Sequence, residues 1–297
     1  MQQSPDNPNS SSISKEELRD SAFTKFLSGD LNGAFSDIEK SLKTEANYAL
    51  ALIDKGIYKA HSGELEEALK NFVKVLELEP NNHSAAANIS IVKFNQQNYD
   101  EALEWANAAI EMKSDIPYFY SLRGHIKIKL SMFESADSDL KYSLQTDPNN
   151  VDTLLTMAQL KEEIGDETEA KSLYSKVIDL DPDNYTAFYN RGRIEVDTYN
   201  KLIDFQQAIK YNPNFAKAYT NTSLAWFHIE EFEKGLDAAN KAVDLNPKSY
   251  KAYSARGWLK VKLNDNEGAI QDFEKTIQLG DPEWDSFFEY LKRVERF

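Results

Sequence analysis

The sequence predicts an all-α solenoid of about eight helix pairs followed by one further helix. Two observations carry that class. Turn prolines recur at a spacing of 34 residues, and two sets of small residues recur in the same register. A fixed period of this size marks an architecture in which each unit buries its apolar face only by stacking on its neighbours.

The turns set the frame. LELEPNN places Pro80, QTDPNN Pro148, DLDPDN Pro182, KYNPN Pro213 and DLNPKS Pro247. Pro80 to Pro148 spans 68 residues, twice the period, and the member between them falls at Ser114. Pro182 to Pro213 spans only 31, so the sixth unit is three residues short. Counting 24 back from each turn gives Ala22, Gly56, Ser90, Gly124, Ala158, Ser223 and Gly257, with Gly192 reached by 21 in the short unit. Twelve back lie Ala34, Ala68, Ala102, Ala136, Ala170, Gly235 and Ala269. A small residue on each of two helices lets them approach closely.

Each unit therefore reads as two antiparallel helices. In the second, one helix runs from about Ala49 to His61 and ends at Ser62-Gly63-Glu64, where Gly supplies a left-handed end. Its partner runs from about Leu65 to Glu79 and Pro80 stops it. Apolar positions recur at i, i+3, i+4 and i+7 within each helix.

With an aromatic residue or Leu four positions before the first small residue (Leu52, Tyr120, Phe188, Tyr219, Tyr253), this pattern resembles the tetratricopeptide repeat (TPR) family. The resemblance covers units at 15–48, 49–82, 83–116, 117–150, 151–184, 185–215, 216–249 and 250–283. Departures are Ala46, Ser114 and Asp281 where Pro is usual. The family implies a right-handed superhelical solenoid whose first helices line a concave groove. It says little about function, which resides in sites rather than folds.

The flanks differ in character. Residues 1–14, MQQSPDNPNSSSIS, read as a disordered polar leader without signal-peptide features. A chain beginning at Met1 is expected to be soluble and cytoplasmic. If Met1 replaces a lipidated Cys, the same leader fits a bacterial periplasmic or surface lipoprotein. Residues 284–297 form an amphipathic segment with Phe287, Phe288, Leu291 and Val294 on one face. It is read as a capping helix over the last repeat, with a homodimer contact through Trp284 and Phe297 as the alternative. In the sixth unit the loss lies between Gly192 and Ala208. It is expected to trim the hairpin around Asp197–Asn200, either as drift at a loop or as a widening of the groove.

Composition narrows the chemistry. The 297 residues hold 34 Lys plus Arg against 49 Asp plus Glu, a net charge of −15, and no Cys. Disulfides, thiolate catalysis and Cys-based zinc sites are excluded. No run approaches the ~18 apolar residues that span a membrane. Excess acid argues against nucleic acid as a partner, because phosphate repels an acidic surface. The chain has no Gly-rich phosphate loop, His-Glu-x-x-His or Gly-x-Ser-x-Gly. Its four histidines, His61, His83, His125 and His228, fall in different units. The expectation is a non-catalytic protein with no cofactor and no metal.

Candidate binding residues follow from the first helices. In the early units Ile53, Ile57, Ile91 and Phe94, with Phe23 and Phe26, read as an apolar slot carrying acidic spots at Asp20 and Asp54. Packing between repeats is the rival reading. In the last three units Tyr189, Asn190, Arg193, Lys217, Asn221, Phe227, Lys251, Trp258 and Lys262 put polar donors and aromatics on one face. Lys, Arg and Asn bind carboxylates by charge-assisted hydrogen bonds. Chaperone-binding members of the family use a clamp of Lys, Asn and Arg. Arg193, Asn221 and Lys251 fall near such positions, but Ala255 replaces the final Arg. Residues 1–184 carry −14 of the charge, the fifth unit alone −6, and residues 185–297 only −1. Such a field steers basic partners and weakens with salt. The resulting expectation is a scaffold that holds a protein or peptide segment, basic or apolar, in its groove. The alternative is an assembly subunit that self-associates or bridges a larger complex, for example in a bacterial envelope.

Overall fold

The computed structural model of the chain describes residues 13–280. The leader up to residue 12, Asp281-Pro282 and the expected capping helix at 284–297 lie outside the described residues. All regular structure among the described residues is helical. The chain divides into two compact halves, residues 1–148 and 149–297. The N-terminal half stacks four hairpins: α1 (Lys15–Leu27) with α2 (Leu31–Thr44), α3 (Ala49–His61) with α4 (Leu65–Leu78), α5 (His83–Asn95) with α6 (Tyr99–Met112), and α7 (Pro117–Lys129) with α8 (Phe133–Thr146). The C-terminal half stacks four more: α9 (Val151–Glu163) with α10 (Glu167–Leu180), α11 (Tyr185–Ile194) with α12 (Thr198–Tyr211), α13 (Ala216–His228) with α14 (Phe232–Leu245), and α15 (Tyr250–Lys262) with α16 (Asn266–Gln278).

The turn motif has a capping role. The residue two beyond the proline caps the next helix: the side chains of Asn82, Asn150, Asn184 and Ser249 each accept a backbone N–H three residues on. Each satisfies a donor the first turn would otherwise leave open, worth about 1 kcal/mol. At the other end of seven first helices the chain turns through one left-handed residue. It is Gly at 29, 63 and 165, and Gln97, Ser131, Glu230 or Asn264 elsewhere.

The small residues are buried, and the side chain that fills their space is specific. A Cβ on Gly56 would lie 2.5 Å from the Phe72 ring, one on Gly124 2.9 Å from Leu140, and one on Gly257 2.5 Å from Phe273. Each intruder stands four residues after the small residue of the second helix. The small position thus admits a large core side chain as well as a neighbouring backbone. Phe72 and Phe273 are each 1% exposed, and burial of one such ring stabilises by roughly 2–3 kcal/mol.

A second device, not expected from the sequence, ties three hairpins to the preceding ones. Arg123 donates from Nε and Nη2 to Asp139 at 2.8 and 2.7 Å and from Nη1 to Asn107 at 2.9 Å. Arg256 repeats this with Asp272 at 2.8 and 2.6 Å and Asn240 at 3.3 Å. Arg191 does so with Asp204 at 2.9 and 2.7 Å and Ser175 at 3.0 Å. Each fork bridges its own second helix and the second helix of the hairpin before it. Such bidentate pairs add geometric specificity to their energy.

Candidate functional site

The sixth hairpin departs from the others, and not where the sequence placed the loss. Asp197 is the N-cap of α12, and residues 198–200 form its first turn. The missing residues are the last turn of α11, which has 10 residues where the other first helices have 13. The link remains three residues long but changes conformation. Glu195 is extended, with φ −68° and ψ 144°, and the left-handed residue of the other hairpins is absent. An extended link climbs about 3.3 Å per residue, which makes up the axial rise of the lost turn. Glu195 stabilises it by accepting from its own link at the Val196 N–H, 2.7 Å, and by pairing with Lys171 of α10 at 3.2 Å. These contacts hold its carboxyl below the ordinary value against the opposing effect of burial.

The deletion leaves the interior register intact. A Cβ on Gly192 would lie 2.8 Å from the Phe205 ring, as in the other hairpins, and Arg191 reaches Asp204 as its counterparts do. What changes is the end of the hairpin. The position occupied elsewhere by buried Ala or Gly is Lys201, and it is half-buried.

A cleft of about 230 Å³ lies between α11, the first turns of α12, and α13. Gly192, Phe205 and Ala225 form a buried floor, and Arg193, Lys201, Asn221 and His228 stand around it with Leu224. Arg193 pairs with Glu162 of α9 at 3.3 Å and donates to Asn190 Oδ1 at 3.3 Å. Glu162 also accepts from the Tyr174 hydroxyl. Asn221 donates from Nδ2 to the Tyr189 hydroxyl at 3.3 Å. Burial pushes that hydroxyl above its ordinary value, so it stays protonated. The Lys201 ammonium has neither an ion-pair nor a hydrogen-bond partner among the described residues.

The contrast with the other hairpins is one of charge. In six repeats the lysine three residues past the small position pairs with an acid of its own hairpin. Lys59 meets Glu64 at 2.7 Å, Lys93 Glu101 at 2.6 Å, Lys127 Asp139 at 2.7 Å, Lys161 Glu169 at 3.1 Å and Lys260 Asp272 at 2.9 Å, and Lys25 meets Asp37. In the sixth that position is Glu195, which turns to α10, while a lysine stands on the second helix without an acid.

The sequence-selected residues distribute as follows. Tyr189, Asn190, Arg193 and Asn221 come together at the cleft, but Asn190 is 7% exposed and serves the interior. Tyr189 packs its ring on Phe205 and Phe215. Phe227 and Lys262 form a second cluster, with Lys262 Nζ 5.8 Å from the ring centroid. Lys217 and Lys251 are exposed, the latter over Tyr250, and Trp258 packs on Phe273. In the N-terminal half Ile53 is 7% exposed and belongs to a core cluster with Phe72 and Val75, against which Ile57 packs. Ile91 is half-buried, and Phe94 packs on Tyr99 and His125. The apolar slot expected there is therefore largely interior at Ile53 and Ile57. A one-residue offset turns a helical side chain by about 100°, enough to exchange groove for core. Lys201 and the three forked arginines were missed. A lysine in a column of Ala and Gly, and Arg recurring 68 and 65 residues apart, were the signals available.

No group of three His, Asp or Glu among the described residues is arranged to hold a metal. No helix among them is long and apolar enough to cross a membrane.

Models of the tetratricopeptide repeat match residues 59–126, 151–184, 204–250 and 250–279. The DnaJ protein P58IPK homolog of Arabidopsis thaliana is 24% identical over 180 residues, 52% of this chain and 36% of that protein. Hsp70-Hsp90 organizing protein 3 of the same plant is 27% identical over 89 residues, 30% of this chain and 16% of that protein. The match thus spans about a third or less of these relatives' length. Among solved structures, the APC/C hetero-tetramer Cut9-Hcn1 superposes with a TM-score of 0.70 at 15% identity, over 85% of this chain and 50% of that one, a likeness of fold alone.

Proposed function

The chain belongs to the tetratricopeptide repeat family, and from that premise we propose that it is a non-catalytic scaffold whose first helices hold a protein or peptide segment. The observation that carries this reading is the cleft beside α11. Donors from three helices (Arg193, Lys201, Asn221) converge there on an apolar floor, the composition of a recognition site rather than of a core. Exposed Lys217 and Lys251 on α13 and α15 extend the same donor character along the first helices of the C-terminal half. The name of the organizing protein concerns Hsp70 and Hsp90, and it supports protein binding as the general role.

The test is affinity capture with the wild-type chain beside the Arg193→Glu/Lys251→Glu variant, at low and high salt. A partner held by the wild type and lost by the variant supports the reading. Equal capture by both sinks the basic-face version of it. A second reading, self-association, has its own observation. Val196, Tyr199 and Ile203 are 81%, 64% and 55% exposed on one side of the link and α12. Mass by sedimentation at rising concentration tests it, and a constant monomer mass removes it.

A further inference from the structure

We propose that the outward side of α12 is a homodimer face, on which α12 of a second copy packs antiparallel. The proposal rests on the self-association reading and specifies the residues and the pairing of that contact. Its first support is a departure from the repeat pattern. Val196, Tyr199, Ile203, Gln206 and Lys210 follow one another at steps of three, four, three and four residues, so they form one stripe along the link and the helix. All five are exposed. Tyr199 stands two positions before Lys201, the sixth repeat's counterpart of the small residue on the second helix. In the other seven repeats that position is polar, and it is acidic at Glu66, Asp100, Glu134, Glu233 and Glu267. The position of Ile203 is polar in all seven as well, Glu104 and Asp237 among them. The sixth repeat instead sets a ring and a branched aliphatic side chain there, 64% and 55% exposed.

Charge points to a second copy as the occupant. Two chains of net charge −15 repel each other, and they approach at least cost where neither presents an acid. α12 is such a place. Its one acid, Asp204, is 4% exposed and held by Arg191. Each of the other seven second helices displays at least one exposed Asp or Glu, such as Glu77 on α4, Glu104 on α6 and Glu274 on α16. The stripe is also complementary to its own reverse. About an axis through Ile203, antiparallel packing sets Ile203 on Ile203 of the second copy, Tyr199 beside Gln206 and Gln207, and Val196 beside Lys210. Lys210 rests on the Tyr211 ring and has no ion pair among the described residues. In this pairing it reaches Asp197, the exposed neighbour of Val196. Asp197 caps α12 through Oδ1 at 2.9 Å, which leaves Oδ2 for that lysine. An apolar centre with opposite charges at its two ends is the self-matching that a twofold interface requires. A parallel arrangement would set Lys210 on Lys210. One helix pair makes a small interface, below about 1,200 Å², and contacts of that size are transient.

The experiment follows the mass of the full chain by sedimentation equilibrium from about 2 to about 500 µM, a range suited to a transient contact. The expected result is a monomer–dimer equilibrium, weakened at least tenfold by Tyr199→Glu/Ile203→Ser. That variant carries residue types that other repeats hold at these positions, so its circular dichroism should stay helical. The absence of Cys lets single cysteines read the pairing. Under mild oxidation with copper-phenanthroline, Ile203→Cys should form a disulfide-linked dimer. Val196→Cys should couple to Lys210→Cys at least tenfold faster than either couples to itself. Self-coupling of Val196→Cys that outpaces its coupling to Lys210→Cys overturns the antiparallel pairing. A dimer that Tyr199→Glu/Ile203→Ser does not weaken overturns the face and leaves self-association standing through another surface. A constant monomer mass over the whole range removes self-association itself, and the proposal with it.

Discussion

The sixth and eighth repeats carry the same fork of Arg on Asp and the same Gly under a Phe ring, yet they end differently. In the eighth, α15 runs three residues further, and Lys260 joins Arg256 on Asp272 at 2.9 Å. In the sixth, α11 stops early, Asp204 keeps Arg191 alone, and the lysine stands across the cleft on the other helix. The comparison teaches that a repeat can lose a turn at its free end without disturbing its interior. Stacking is set by the buried middle of the hairpin, and the end is set by local caps and ion pairs.

The largest test of that separation is removal of the central acid. Asp272→Ala should cost about 3 kcal/mol, because it leaves Arg256 and Lys260 facing a buried gap, while Asp204→Ala should cost about 2. Urea denaturation monitored by circular dichroism measures both. Equal losses would mean that the eighth repeat's extra lysine contributes nothing.

Acid offers the next test, in a repeat with an intact end. Burial, with Lys129 adding repulsion, holds His125 down at about 4, against about 6.5 for an ordinary histidine. The unfolded chain then binds the proton more readily. The stability His125 contributes is full above pH 6.5 and is lost as pH falls from 6.5 towards 4, up to about 2 kcal/mol at partial exposure. His125→Phe should flatten that slope, and denaturation across pH 4–7 reads it.

Small-to-larger changes separate the two repeats again. Gly257→Ala sets a methyl 2.5 Å from Phe273 and should destabilise by about 1.5 kcal/mol. Gly192→Ala should cost less, about 0.5 kcal/mol, because Phe205 borders the cleft and can yield part of the way, although Asp204 Cβ stands 3.1 Å from the added methyl. The last effect is a gain. Ser131 sits at φ 58°, so Ser131→Gly should stabilise by about 1 kcal/mol, a rise in thermal midpoint by calorimetry. No position in the sixth link would respond in this way, since it lacks a left-handed residue.

Much of this molecule was legible without coordinates. The turn prolines, the paired small residues and the Asn or Ser two beyond four of those prolines are local or periodic signals, and each corresponds to one physical demand: a stop, close approach, a cap. The forks were legible in principle, because Arg123, Arg191 and Arg256 recur in register with Asp139, Asp204 and Asp272. The groove was less so. Asn190 and Ile53 are both buried, and the pattern does not state which side of a first helix meets the next repeat.

The sequence by itself determined the helix-pair architecture and showed that the sixth repeat is short, because a 34-residue period survives any detail of packing. Only the tertiary structure decided where the missing residues were taken from. A three-residue deletion reads the same whether it shortens a loop or a helix. The choice depended on the energy of keeping Gly192 under Phe205 and Arg191 on Asp204, contacts between separate helices. Preserving both required α11 to end early, and the cleft around Lys201 lies at that early end.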